Sequence, residues 1–150
     1  MMLRLSKLAD YAVVVLVRLS RGEPCQTSPG IAAETGLPEP TVAKVLKALA
    51  AGGLVTSQRG ARGGYRLARP LSSIPVVDVV SAIDGPVTIA ACVDGAEGGC
   101  EAEHTCPCRG HWDPVNQAVI QALTRITLAD MTAPQPFIHA RSTPAFIPAE

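Results

Sequence analysis

The chain has 150 residues, 47% apolar and only 3% aromatic, with 13 Lys/Arg against 13 Asp/Glu. That length suits one compact domain with an appended helix or tail, and a core that must come from Val, Leu, Ile and Ala. No apolar run reaches the roughly 18 residues of a membrane span and no signal-type N-terminus is evident, so a cytoplasmic protein with no membrane partner is expected.

Ser6 is placed to cap a first helix. Leu8, Tyr11, Ala12, Val15, Leu16 and Leu19 follow at the spacing of one helical face, widened by Val13, Val14 and Val17. Gly22 ends that helix. Ser28 then caps a short helix from Pro29 to about Thr35, and Gly36 stops it. Pro38 restarts a helix carrying Val42, Val45, Leu46 and Leu49 on one face, closed by Gly52-Gly53. Leu54 to Ser57, a glycine-rich turn over Gly60 to Gly64, and Tyr65 to Ala68 read as a two-stranded hairpin. After a break at Pro70 to Ser73, a helix from near Pro75 places Val76, Val79, Val80 and Ile83 on one side and stops before Gly85-Pro86. Residues 88–112 show neither helical nor strand period and hold most of the cysteines, which marks a functional loop. Asp113 caps, and Pro114 opens, a last helix with Val115, Ala118, Val119, Ala122, Leu123 and Ile126 along its apolar stripe. Residues 133–150 are expected to be a disordered tail.

Helix, short helix, tight turn, helix and hairpin is the order of a winged helix-turn-helix, whose second helix enters the major groove of double-stranded DNA. Charge agrees with that reading. Residues 1–69 hold ten Lys/Arg against four Asp/Glu, whereas residues 70–150 hold three against nine. Only the first half is suited to meet phosphate. Recognition helices put their N-terminal residues on base edges, which points to Glu39 and Thr41, with Pro40 beside them; Lys44 and Lys47 suit phosphates. Arg59, Arg62 and Arg66 stand among the glycines of the wing, where backbone and guanidinium can both approach a groove. Ser28, at the start of the bracing helix, completes the DNA-binding set.

Cys25 stands alone, while Cys92, Cys100, Cys106 and Cys108 fall in one short segment with His104 and His111 interleaved. In a reducing compartment such a group points to metal or redox chemistry rather than structural disulfides. Thiolates bind zinc, copper(I) and iron–sulfur clusters. Structural zinc sites usually pair their ligands as C-x2-C, a pattern absent here, so the wide spacing favours a cluster; zinc and a thiol switch remain the alternatives. No phosphate-cradling glycine loop, nucleophile–base pair or pocketed carboxylate pair is evident, which argues against an enzyme and a small-molecule substrate.

The chain resembles the Rrf2 family of bacterial regulators, and within it the regulators of the SUF iron–sulfur assembly system. The likeness rests on Leu3 to Ala12, on Gly36 to Leu46, on the wing Arg59 to Leu67, and on three loop cysteines followed by a helix; it covers about residues 2–132. It implies a mainly α fold with a small β wing: a winged helix-turn-helix at 1–70, then a connecting helix, cluster loop and long C-terminal dimerisation helix over 71–132. It further implies a homodimer on a palindromic operator that senses an iron–sulfur cluster, [2Fe–2S] before [4Fe–4S], and represses cluster-assembly genes. The family's three cluster cysteines map onto Cys92, Cys100 and Cys106, although the first two are further apart here than the family's pattern. Three candidates exist for the fourth ligand. Cys108 is an extra thiol beside the third cysteine, and His111 lies near the place of a histidine that serves in some relatives. Asp10 matches an acidic residue that serves in others from the first helix of the second protomer.

Overall fold

The computed structural model describes residues 4–93, 96 and 99–134. The segment from 135 onward, which contains nearly all of the expected tail, lies outside the described residues. Ser6 caps α1 (Lys7–Arg21) by accepting from the Ala9 N–H at 3.1 Å. The helix buries Ala9, Ala12, Val15, Leu16 and Leu19, the face its periodicity predicts. α2 (Ser28–Thr35) begins one residue before its expected start. Thr27, not Ser28, is the cap: its backbone is extended (φ −82°, ψ 155°) and its hydroxyl accepts from the Gly30 N–H at 3.2 Å. Gly36, at φ 74°, turns the chain towards α3 (Glu39–Ala51), a left-handed conformation that glycine adopts without steric cost.

β1 (Val55–Gln58) and β2 (Gly64–Leu67) pair antiparallel, with Val55 opposite Leu67 and Gln58 opposite Gly64. Gln26 adds a single bridge to Tyr65, exchanging two backbone hydrogen bonds at 2.9 and 2.7 Å. Gly64 is required there. Its φ is 151°, and a Cβ would stand 2.5 Å from the Gln26 carbonyl oxygen. A 3-10 turn at Leu71–Ser73 leads into α4 (Val76–Asp84), which buries Val76, Val79 and Val80. α4 approaches the end of α3 so closely that a Cβ on Gly52 would meet that of Ala82 at 2.8 Å. The Arg69–Asp78 ion pair ties the wing's exit to α4, and Arg18–Glu34 ties α1 to α2.

α5 (Asp113–Arg125) and α6 (Leu128–Thr132) complete the fold. Asp113 is the first residue of α5 rather than its cap; Trp112 holds the cap position and makes no side-chain cap bond. The long helix expected here has 13 residues, fewer than the 15 of α1. It stops because Ile126 turns extended, and residues 126–128 then pair with residues 74–76. The Val76 N–H donates to Ile126 and the Leu128 N–H to Ile74, each at 2.9 Å. The apolar stripe is also rotated from its expected position. Val115 is 45% and Ile126 47% exposed, and Ala118 and Ala122 face solvent, whereas Asn116 is buried and Val119, Ile120 and Leu123 half-buried. One apolar cluster joins α1, α2, α3, β1, α4 and α6, so the core continues past residue 70 to Ile74 and Leu128.

Candidate functional site

Burial of Val42, Val45, Leu46 and Leu49 fixes how α3 sits. It leaves Glu39, Pro40, Lys44 and Lys47 exposed and Thr41 half-buried. Two lysines without an ion pair among the described residues, on the open side of a helix anchored by four core residues, are the arrangement a groove-reading helix needs. In the wing, Arg59 and Arg62 are exposed on a turn closed by the Gly63 N–H donating to Gly60 at 2.9 Å. A Cβ at Gly63 would come within 2.6 Å of the Gln58 carbonyl oxygen, so the tight turn excludes a side chain there. Arg66 projects from β2, and its Nε donates across the hairpin to Thr56 Oγ1 at 3.2 Å. Ser28 is half-buried in the first turn of α2, with its hydroxyl unpartnered among the described residues.

The cysteine loop is wound from short local turns. Backbone bonds join Val93 to Ala90, Glu103 to Cys100, Thr105 to Ala102, Arg109 to Cys106 and His111 to Cys108, at 3.0 to 3.3 Å. Glu103 and Arg109 pair across this stretch at 3.3 Å. Cys92, Cys100 and Cys106 are half-buried and Cys108 is exposed; all four are free thiols. His104 and His111 are exposed, and Asp10 is exposed on the first turn of α1. Among the described residues no three Cys, His, Asp or Glu side chains converge as a metal-binding group. Cys92, Cys100 and Cys106 are therefore not gathered with Cys108, His111 or Asp10. The donor set itself suits thiophilic iron or zinc: free thiols, partly sheltered, on backbone whose described hydrogen bonds from Ala90 onward are local. Cys25 is half-buried in the connection between α1 and α2, away from the loop in sequence.

Asn116 is a residue that sequence reasoning passed over. It is 2% exposed, the one buried polar residue among those described. Its carboxamide accepts from the Ile89 N–H at 3.1 Å and donates to the Val87 carbonyl at 3.0 Å. Both partners lie at the start of the cysteine loop. Close by, Val93 is buried beside Cys92 and lines a cleft of about 390 Å³ between α4 and α5 with Val77, Ser81, Val87, Asn116 and Ile120. The signal in the sequence was an amide at i with Ile120 and Leu123 at i+4 and i+7, an apolar face with one polar member.

Comparison with known proteins gives one consistent result. The family described as "Rrf2: Iron-dependent Transcriptional regulator" matches residues 5–134. Protein aau3 of Rhizobium meliloti is 32% identical over 138 residues, covering 91% of this chain and 90% of the relative. Among solved structures, IscR of T. potens superposes with a TM-score of 0.62 at 30% identity, covering 86% of this chain and 85% of that one. CymR, the global cysteine regulator of B. subtilis, gives a TM-score of 0.64 at 28% identity, covering 87% and 96%. Among the described residues no helix is long and apolar enough to cross a membrane.

Proposed function

The chain belongs to the Rrf2 family of transcriptional regulators, not to an enzyme family, and on that premise we propose that it senses an iron–sulfur cluster and represses cluster-assembly genes from a palindromic operator. The observation that carries this reading is the loop of four reduced thiols, three of them partly sheltered, tied through Asn116 to α5. Cys92, Cys100 and Cys106 are the proposed ligands, with the fourth place open to Cys108, His111 or Asp10 of the second protomer. A bound cluster, [2Fe–2S] first and [4Fe–4S] second, supplies sensitivity to iron, oxidant or cluster supply. The protein's own part is to close the loop around it, which exchanges the local turns for one fixed arrangement. The operator is met by α3 and the wing: Glu39, Pro40 and Thr41 at base edges, and Lys44, Lys47, Arg59, Arg62, Arg66 and Ser28 towards the backbone.

A homodimer is part of the proposal. The outward Val115, Ala118 and Ala122 on α5, with the exposed Ile126 just past its end, support it, because an exposed apolar face is costly unless a second copy covers it. DNA regulators with two-fold symmetry read two half-sites, and a loop that shifts α5 changes half-site spacing.

The test is anaerobic purification with visible spectrum, iron, acid-labile sulfide and zinc per chain. Absorption in roughly the 320–460 nm range with matching iron and sulfide is expected, and it should vanish in Cys92→Ala, Cys100→Ala and Cys106→Ala proteins that still bind operator. Retention of full absorption in all three variants refutes the ligand assignment. A second reading, a zinc- or thiol-responsive regulator, draws on the same donor set, since free thiols on a loop also bind zinc or act as a redox switch. Colourless protein with zinc, or with no metal after reconstitution, decides for it.

A further inference from the structure

Among the described residues, the non-local hydrogen bonds that join the cysteine loop and its first flanking residue to the rest of the fold are two, both made by Asn116. Every described backbone hydrogen bond between Ala90 and His111 spans three residues. The Asn116 amide, by contrast, reaches back 27 residues to Ile89 and 29 to Val87. Its position on α5 is fixed by the half-buried Ile120 and Leu123 on the same face. The other end of α5 is fixed to the DNA-binding part, where residues 126–128 pair with 74–76 and Leu128 enters the core beside Ile74. α5 is thus a rod pinned at one end to the loop's root and at the other to the body that carries α3.

We propose that Asn116 is a positioning residue that clamps the root of the cysteine loop to α5, so that a change of state in the loop reaches the recognition helices through this amide. The chemistry requires both halves of the carboxamide. A buried side chain that accepts from one backbone N–H and donates to a carbonyl two residues earlier holds that segment in one register, and neither Asp nor Leu can do both. The two bonds also replace the partners that the backbone of Val87 and Ile89 would otherwise find in water, so removing the amide frees the segment rather than merely weakening it. Val93, buried immediately after Cys92, transmits the register set at 87–89 to the first thiol. The inference rests on the loop being the sensor, as proposed above.

Two readouts test it separately from that reading. In the apo protein, the Ile89 amide should be protected against hydrogen exchange, and Asn116→Ala should remove that protection by about tenfold or more while α1 and α3 stay protected. In the second measurement, operator affinity is compared before and after anaerobic reconstitution with iron and sulfide. Wild type should show a ratio different from one in either direction; Asn116→Ala should take up the same iron and sulfide yet bring the ratio to within about twofold of one. Should Asn116→Ala fail to fold, Ile89→Pro removes the N–H that Asn116 accepts from; it has no amide at 89 to exchange, so it is read by the affinity ratio alone, with the same expectation there. Variants that keep the wild-type ratio, or keep Ile89 protected, overturn the clamp. A wild-type ratio of one overturns the sensor reading instead, and the clamp then stands or falls on the Ile89 exchange rate alone.

Discussion

Exposed cations on α3 and the wing should set the salt dependence of operator binding, and their number fixes its size. Lys44, Lys47, Arg59, Arg62 and Arg66 are exposed and make no ion pair among the described residues, and the bond from Arg66 to the neutral Thr56 hydroxyl leaves its charge in place. Two protomers would then neutralise about ten phosphates, giving a slope of log affinity against log salt near −9 and a loss of about 3 × 10⁵ between 50 and 200 mM salt. Lys44→Ala removes one contact per protomer, about two per dimer. The slope should relax to about −7.2 and the loss to about 2 × 10⁴ over the same range. Fluorescence anisotropy with a labelled operator at five or six salt concentrations measures this directly. Arg125→Ala, which changes an exposed arginine at the end of α5, serves as the control and should leave the slope unchanged. If Lys44→Ala and Lys47→Ala leave the slope of wild type while Arg125→Ala flattens it, the DNA face has been assigned to the wrong surface.

Other consequences are open to direct measurement. Leu128→Ala deletes a fully buried side chain, and urea unfolding should show a loss of about 2–5 kcal/mol; a change under about 1 kcal/mol would show that α6 does not seal the core. Gly64→Ala forces a Cβ against the Gln26 carbonyl at a positive φ, so the wing must shift: a destabilisation of about 1–3 kcal/mol is expected together with weaker operator binding. Asp130 accepts from the Thr127 N–H and hydroxyl, and these bonds hold its carboxyl below the usual aspartate range. A depressed folded-state value means the stabilisation is complete above the unfolded value of about 3.9 and is lost as pH falls through the folded one. The difference in urea midpoint between wild type and Asp130→Ala should therefore be constant near pH 6 and disappear at the acidic end of the titration.

Much of the fold was legible because its signals are local. Periodicity located the buried faces of α1, α3 and α4, and glycines marked the ends. Ser28 and Thr27 are both capable caps; only the backbone conformation selects Thr27, and that choice is not written in residue type. The face of α5 was misplaced for a different reason. Val115 and Ala118 are apolar yet point outward, while Asn116 points inward because its partners are backbone groups far back in the chain. Hydrophobicity cannot reveal a buried amide whose hydrogen-bond partners are contributed by a loop. Of the site, the cysteines declared their donor chemistry through residue type, whereas their positions in space depend on turns whose bonds among the described residues are local.

The pairing of residues 126–128 with 74–76 also governs the order in which a newly made chain becomes competent. The recognition helix and wing leave the ribosome first, yet Ile74 stays uncovered until Leu128 arrives to complete the core. The whole cysteine loop and α5 lie between those two residues in the chain. A product cut short anywhere before 126 lacks the segment that closes the core, so it presents apolar surface to quality control. A chain cut short there therefore carries α3 and the wing on a core still open at Ile74.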